Sequence, residues 1–215
     1  MKNLKLKICG MKHPENISEV AKLQPDYMGF IFYEKTPRNF DAEIPEISLA
    51  IKKTGVFVNE EIDLILEKIK KHDLNAIQLH GDESAAFCAE LKTLLIETEV
   101  EIIKVFSVKD DFDFERLEEY EAVVDYFLFD TKGKNKGGNG ITFNWEILKE
   151  YPSEKPFFLS GGIGPEEVEA IKKLKAYFEE NGKGNLLYAI DVNSKFEEEA
   201  GFKNVDKLKE FRKRF

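Results

Sequence analysis

The sequence predicts an α/β fold of the single-domain (β/α)8 TIM barrel type, with one domain covering residues 1–215. Short apolar runs alternate with amphipathic stretches of helical period along the chain, which implies parallel strands joined by helices. Eight such units follow one another at roughly even spacing, without a Ser/Pro-rich linker between them. This number favours closure into a barrel over the rival arrangement, an open doubly wound sheet.

The predicted strands are apolar runs that end at glycine or polar residues. In the first, alternation places Lys5, Lys7 and Cys9 on one face and apolar residues on the other, and Gly10 ends the run. In order, the eight predicted strands are Leu4–Cys9, Tyr27–Phe32, Gly55–Val58, Ala76–His80, Glu101–Phe106, Tyr126–Asp130, Phe157–Ser160 and Leu187–Val192.

The predicted helices are indicated by apolar residues that recur every three or four positions. Pro165 suits a first helical turn, and Glu166 and Glu167 complement the positive end of that helix, which Asn181-Gly182 terminates. In order, the helices are predicted near Pro14–Leu23, Pro45–Lys53, Glu61–His72, Glu83–Ile96, Phe114–Val123, Phe143–Tyr151, Pro165–Glu180 and Val205–Phe215.

Composition narrows the classes of function. The 215 residues are 42% hydrophobic and 34% charged, which is typical of a globular protein with a substantial core. A formal net charge of -9 argues against nucleic acid and against an anionic membrane surface as partners. The 2 cysteines cannot form a disulfide framework, and no Cys/His spacing suggests zinc. With no apolar signal region or transmembrane-length run, we expect a cytoplasmic protein, either a monomer or a homodimer.

Reactive side chains stand where several predicted strands end. In this fold the active site lies at the carboxyl ends of the strands, so each strand's last inward-facing residue is a candidate. These residues are Cys9 in the first strand, Gln78 and His80 in the fourth, Asp130 in the sixth and Asp191 in the eighth. A structural protein would more naturally place small or apolar groups there.

The charges beside Cys9 suggest how its thiol could become reactive. The Lys7 ammonium favours a thiolate and is expected to lower the pKa of Cys9, although a small buried core residue is the commoner role of a lone cysteine. Lys7 and Lys104 are expected to face the barrel interior, where each needs a partner. Asp191 is the expected partner, and it could equally contact substrate hydroxyls.

Two segments resemble phosphate-binding turns. Residues 160–165 form a glycine-rich turn before a helix, and residues 191–197 could begin a short extra helix. Backbone N–H groups at such positions bind phosphate, and this fold often carries that site after strands seven and eight.

Residues 131–140, with three lysines, are either a solvated loop or a lid over an anionic substrate. Arg38 could bind a carboxylate bidentately, or it could be an ordinary surface residue.

Seven segments together carry a family resemblance. In chain order they read KICGM, TPRNF, QLHGDE, FLFDT, GGNGITFNW, FLSGGIGPEEV and AIDVNSKFE. This combination, which covers nearly the whole chain, resembles the phosphoribosylanthranilate isomerases of tryptophan biosynthesis. The resemblance implies a cofactor-free Amadori rearrangement of N-(5-phosphoribosyl)anthranilate, an anionic phosphosugar, to 1-(2-carboxyphenylamino)-1-deoxyribulose 5-phosphate.

The resemblance also implies roles for individual residues. Cys9 stands at the family's general base and Asp130 at its general acid, and Arg38 stands where the anthranilate carboxylate is bound. The positions of the phosphate site are Gly161, Gly162, Asn193 and Ser194. The base must act as a thiolate and the acid as a protonated carboxyl, which inverts the usual order of their pKa values.

One position departs from the family pattern, and some residue roles and the function itself have alternatives. Lys195 stands where a glycine is usual, and it would be strained there if that position requires a positive φ. His80 is expected either to contact substrate, as Asp191 is, or to order its own loop. Two other functions remain alternatives: a lyase similar to indole-glycerol-phosphate synthase, which would be expected to use lysine and glutamate, and a phosphosugar-binding barrel without activity.

Overall fold

A computed structural model describes residues 4–109, 112–131 and 144–215. Eight parallel strands form a closed barrel in chain order, and the last pairs with the first. This confirms the (β/α)8 fold class. The barrel strands are β1 (Lys5–Ile8), β2 (Tyr27–Ile31), β3 (Lys52–Phe57), β4 (Ala76–Leu79), β5 (Glu101–Val108), β6 (Tyr126–Thr131), β7 (Phe157–Leu159) and β8 (Leu187–Val192).

Five α-helices and several 3₁₀ segments are found in the described ranges. The helices are α1 (Pro14–Ala21), α2 (Ile62–His72), α3 (Ala85–Leu94), α4 (Val168–Glu180) and α5 (Val205–Arg212). The 3₁₀ segments are Phe114–Tyr120, Trp145–Glu150, Pro165–Glu167 and Ser194–Phe196. None of the helices in these ranges is long and apolar enough to cross a membrane.

Alternation along the strands separates two buried layers. Phe127 and Phe129 of β6 face outward into the large core beneath the helices, as the sequence indicates. Leu128, between them, faces inward and packs in a smaller cluster inside the barrel with residues such as Tyr27 and Phe158. This inner cluster fills the amino-terminal half of the barrel, so the cavity can open only at the carboxyl ends of the strands.

The helix predicted near Pro45–Lys53 is wrong. The segment is irregular, and β3 already begins at Lys52, which pairs with Tyr27 of β2. Backbone hydrogen bonding explains the difference, because the Lys52 N–H donates to the carbonyl of Asp26 at 2.9 Å and so joins the sheet. The pairing of strands therefore overrides the apolar spacing that suggested a helix.

The fifth and sixth predicted helices are 3₁₀ segments instead of α-helices. Phe114–Tyr120 and Trp145–Glu150 are each capped by a side chain, Asp113 in the first and Asn144 in the second. Phe143, where the sixth helix was predicted to begin, lies outside the described residues. Segments this short bury few side chains, so tight 3₁₀ turns satisfy their backbone groups.

A small antiparallel hairpin after β8 was not predicted. It consists of β9 (Glu197–Glu199) and β10 (Phe202–Lys203), and it precedes α5. Gly201, with φ of 89°, makes the turn between them. The hairpin lies beside α1, because the Asn16 side chain hydrogen-bonds both backbone groups of Lys203.

Candidate active site

One cavity opens at the carboxyl ends of the strands and has a volume of about 740 Å³, counted to its open mouth. All nine site residues predicted from the sequence line it, namely Cys9, Arg38, His80, Asp130, Gly161, Gly162, Asp191, Asn193 and Ser194. Residues from β6 and β8, and from the segments that follow β1, β2, β4, β7 and β8, therefore meet in one place.

Cys9 directly follows β1 and is held as an extension of that strand. Its N–H donates to the carbonyl of Val192 at 2.9 Å. Gly29 of β2 lies against its side chain, and a Cβ built on Gly29 would stand 2.7 Å from the Cys9 Sγ. The absence of a side chain at Gly29 therefore makes the room that the sulfur occupies.

Lys7 and Asp191 form a buried ion pair beneath Cys9. The Lys7 Nζ lies 2.9 Å from the Asp191 Oδ2, and their side chains are 0% and 5% exposed. This confirms Asp191 as the partner of Lys7. Burial lowers the pKa of Lys7, but its interactions with Asp191 and with Cys9 raise it by more, so the ammonium is retained. For Asp191, burial raises the pKa of the carboxyl against the opposing effect of Lys7.

The expectation that Lys7 lowers the pKa of Cys9 below its ordinary value is wrong. Burial raises the pKa of the thiol more than the charges of Lys7 and Lys203 lower it, and Asp191 raises it further. Desolvation of a thiolate exceeds the attraction of nearby cations that are themselves paired with carboxylates. Cys9 therefore rests as a thiol at neutral pH.

Asp130 of β6 lines the same cavity and is held by the neighbouring Thr131 and by His80. Its Oδ1 accepts from the N–H of Thr131 at 3.0 Å, and its Oδ2 lies 3.4 Å from the His80 Nε2. Gln78 contacts the other ring nitrogen of His80 at 3.2 Å. The imidazole thus bridges β4 and the Asp130 carboxyl, so ordering its loop and facing the cavity are both compatible with its position.

The glycine-rich turn after β7 has the geometry that its residues require. Gly161 and Gly162 have φ values of 87° and 68°, which few other residues adopt. A Cβ on Gly161 would stand 2.2 Å from the Thr131 Oγ1. Ser194 begins the 3₁₀ turn after β8, and Lys195, in the same turn, is not among the described residues with positive φ. Lys195 therefore carries no backbone strain.

Arg38 is part of an ion-pair network that was not foreseen. Its guanidinium donates to the Glu197 carboxylate, with the Arg38 Nη2 2.6 Å from the Glu197 Oε2. The Lys203 Nζ lies 2.7 Å from the Glu197 Oε1. The sequence does not single out Glu197 and Lys203, because the burial of their side chains depends on the tertiary packing of β9 and β10.

Lys104 is buried, as expected, but its partner is not Asp191. Its Nζ lies 2.8 Å from the Glu83 Oε2, and both side chains are almost fully buried. Glu83 also accepts from the N–H groups of Asn59 and Gly81, so it ties together the segments after β3 and β4. The predicted lid with its three lysines lies mostly outside the described residues.

Comparison with known proteins identifies relatives over nearly the full length. The family model described as N-(5'phosphoribosyl)anthranilate (PRA) isomerase matches residues 6–214. The N-(5'-phosphoribosyl)anthranilate isomerase of Parabacteroides distasonis is 44% identical over 213 residues, covering 96% of this chain and 90% of the relative.

Solved structures give the same result. The phosphoribosyl anthranilate isomerase of Thermotoga maritima has a TM-score of 0.79 at 31% identity, with 98% of each chain covered. A phosphoribosyl anthranilate isomerase in complex with reduced 1-(o-carboxyphenylamino)-1-deoxyribulose 5-phosphate has a TM-score of 0.75 at 28% identity. That alignment covers 98% of this chain and 97% of the other.

Proposed function

Since the chain belongs to the N-(5'-phosphoribosyl)anthranilate isomerase family, we propose that it catalyses the Amadori rearrangement of N-(5'-phosphoribosyl)anthranilate. The product is 1-(2-carboxyphenylamino)-1-deoxyribulose 5-phosphate, an intermediate of L-tryptophan biosynthesis. The proposal rests on one observation: Cys9 and Asp130 line the same cavity, together with the turns suited to a phosphate. No cofactor is required, because the reaction only moves protons within one molecule.

The first proposed step opens the sugar ring. Asp130, as general acid, donates a proton to the ribose ring oxygen, and the C1′–O bond breaks to leave an iminium ion. The position of Asp130 in the cavity supports this role; its Oδ1 accepts from the Thr131 N–H, and its Oδ2 lies near His80. We propose that His80 orients this carboxyl towards the ring oxygen.

The second proposed step transfers a proton from carbon. The iminium nitrogen withdraws electrons and makes the C2′ proton acidic, and Cys9, as general base, removes that proton in its thiolate form. The resulting enolamine gains a proton at C1′ and loses its hydroxyl proton, which gives the ketone. The raised pKa of Cys9 leaves little thiolate at neutral pH but makes that thiolate a stronger base.

The two anionic ends of the substrate are proposed to bind to different groups of the cavity. The backbone N–H groups around Gly161 and Gly162, with Asn193 and Ser194, would bind the phosphate. Arg38 would bind the anthranilate carboxylate. Asp191 would contact the ribose hydroxyls, since its Oδ1 has no hydrogen-bond partner among the described residues.

The experiment that tests this function follows the loss of substrate fluorescence as phosphoribosylanthranilate is converted. Cys9→Ala and Asp130→Asn should each lower kcat by about 10²–10⁴-fold, the usual contribution of a general acid or base. Cys88→Ala is the matched control, because Cys88 is buried in α3 and does not line the cavity. A variant that keeps near wild-type kcat removes its residue from the mechanism.

Thiol alkylation adds a second test. Iodoacetamide should inactivate the wild type and the Cys88→Ala variant at equal rates, and substrate should protect both. Both cysteines of the chain are free, which supports a reducing, cytoplasmic location. The sequence leaves two assembly states open, and light scattering distinguishes the monomer from the homodimer. One Thermotoga maritima relative is described as dimeric.

A further inference from the structure

The Arg38 guanidinium is fixed along one edge. The Glu197 carboxylate accepts from the Arg38 Nε at 2.9 and 3.1 Å and from the Nη2 at 2.6 Å. The side chains of Arg38 and Glu197 are 16% and 5% exposed, so the contact is largely shielded from water. The remaining nitrogen, Nη1, has no hydrogen-bond partner in the described part of the chain.

The Glu197 carboxylate is itself held on its other side. Its Oε1 accepts from the Lys203 Nζ at 2.7 Å and from the Gly201 N–H at 3.1 Å. Burial would raise the pKa of Glu197, but the hydrogen bonds and charges of Arg38 and Lys203 together lower it below its usual range. Glu197 is therefore a fixed negative charge between two cations that would otherwise repel each other.

Lys203 connects this charge to the rigid part of the barrel. Its backbone N–H donates to the Asn16 side chain of α1 at 2.7 Å, and its carbonyl accepts from the same amide at 2.9 Å. Its Nζ also donates to the Asn193 Oδ1 at 2.7 Å. The chain of contacts thus runs from α1 through the hairpin to Arg38, and each member is buried or partly buried.

The absence of a side chain at Gly10, directly after Cys9, leaves room for the side chains of Arg38 and Asn193. A Cβ on Gly10 would stand 3.0 Å from the Arg38 Cδ and 2.7 Å from the Asn193 Oδ1. Arg38 therefore lies close against the turn that follows Cys9. Since Arg38 and Glu197 come from segments 159 residues apart, only the closed barrel brings them together.

We propose that Glu197 is a positioning residue for Arg38, which holds the guanidinium by one edge and presents the other to an aromatic carboxylate in the cavity. This inference rests on the proposed function for the identity of that ligand. A long arginine side chain has many rotamers, and holding one of them in advance lowers the entropic cost of binding the carboxylate. The guanidinium of Arg38 is planar, with N–H donors along more than one edge. One edge can therefore be held by Glu197 while another edge still donates to a ligand.

The test compares Glu197→Gln with wild type in equilibrium binding by calorimetry, using anthranilate and inorganic phosphate as separate probes. Glutamine keeps the shape but offers one acceptor oxygen and an amide that faces two cations. Anthranilate should bind about tenfold more weakly or worse, which is a loss of one charge-assisted contact. Phosphate affinity should change less than threefold, because the Glu197 side chain hydrogen-bonds none of the proposed phosphate-binding residues and Lys203 keeps its contact with Asn193.

Steady-state kinetics should show the same division. Glu197→Gln should raise KM for phosphoribosylanthranilate by about tenfold, with kcat within about threefold of wild type, since Cys9 and Asp130 remain in place. Glu197→Asp, which keeps the charge, should recover part of the anthranilate affinity. Glu199→Gln, an exposed carboxylate of the same hairpin, is the matched control and should behave as wild type.

Each outcome decides between definite alternatives. Unchanged anthranilate affinity in folded Glu197→Gln overturns the positioning role, and so does an equal loss of phosphate and anthranilate binding, which indicates a collapsed site. If Glu197→Gln does not fold, the aspartate variant and the double variant with Arg38→Ala supply the comparison. The wild type could also fail to turn over phosphoribosylanthranilate, which refutes the proposed function. If Glu197→Gln still weakens anthranilate binding in that case, the positioning role is supported.

Discussion

An alanine at Gly29 should displace the Cys9 sulfur and test whether its position controls the rate. The added Cβ would stand 2.7 Å from the Sγ, 3.1 Å from the Cα and 3.2 Å from the Cβ of Cys9. Ordinary non-bonded carbon contacts are about 3.5–4.0 Å, so the sulfur has to move by about 1 Å. Rotation of the Cys9 side chain alone cannot relieve the overlap, because the added Cβ would also be too close to the Cys9 Cα.

A shift of this size at a general base should lower kcat by about 10²-fold, since misplacement of about 1 Å has that effect on positioned groups. Overpacking should also lower the free energy of unfolding by about 1–3 kcal/mol. The assay is the fluorescence loss of phosphoribosylanthranilate, with thermal unfolding measured on the same preparation.

Gly184→Ala is the control for the general effect of replacing glycine by alanine. Its Cβ would meet only Glu179, a residue of α4 remote from the cavity lining, at 3.1 Å from the Cγ. The control should keep wild-type kcat. If folded Gly29→Ala also turns over within threefold of wild type, the position of the sulfur does not limit the rate, and Cys9 is not the base as proposed.

Four further outcomes are expected. Burial raises the pKa of Cys9, so a spectroscopic titration of the thiolate should have its midpoint above the ordinary value of 9.0; a midpoint below 9.0 contradicts this. The pKa of Cys9 is therefore higher in the folded chain than in the unfolded chain, and the unfolded chain loses the thiol proton at lower pH. The Cys9 contribution should lower the free energy of unfolding as pH rises from the unfolded-chain pKa to the folded-chain pKa. Glu83→Gln should lower the free energy of unfolding by about 3–5 kcal/mol in chemical denaturation, because it leaves Lys104 buried without its carboxylate; a smaller loss shows that the carbonyl contacts of Lys104 suffice. Gly161→Ala should weaken the binding of inorganic phosphate at least about tenfold by calorimetry, because φ of 87° and the close approach of Thr131 exclude a side chain; unchanged affinity places the phosphate elsewhere.

The fold could be predicted from the sequence because its signals are local. Strands such as Tyr126–Thr131 alternate between inward and outward side chains, and the spacing of eight βα units is regular. Where the prediction near Pro45–Lys53 failed, the deciding contact was a pairing between Lys52 and Tyr27, which are 25 positions apart (52 minus 27). Helical spacing inside that segment carries no information about such a pairing.

The candidate site could be located from strand ends, but its electrostatics could not. Cys9 and Asp130 follow from chemistry and position, whereas the direction of the Cys9 pKa shift depends on burial that the sequence does not report. In the sequence, the cation of Lys7 lies two positions from Cys9, which predicts a stabilised thiolate. The folded protein pairs that cation with Asp191 and removes water from the sulfur, and desolvation then dominates.

By itself, the sequence determined the order of the eight barrel strands, the end of the barrel that carries the cavity, and the residue types that line it. All of these depend on periodicity and on turn residues, which act over a few positions. The tertiary structure alone decided which charges are buried together: Lys104 with Glu83, and Arg38 with Glu197 and Lys203. Such pairings join distant segments, and their energy depends on exclusion of water, which exists only once the barrel has closed.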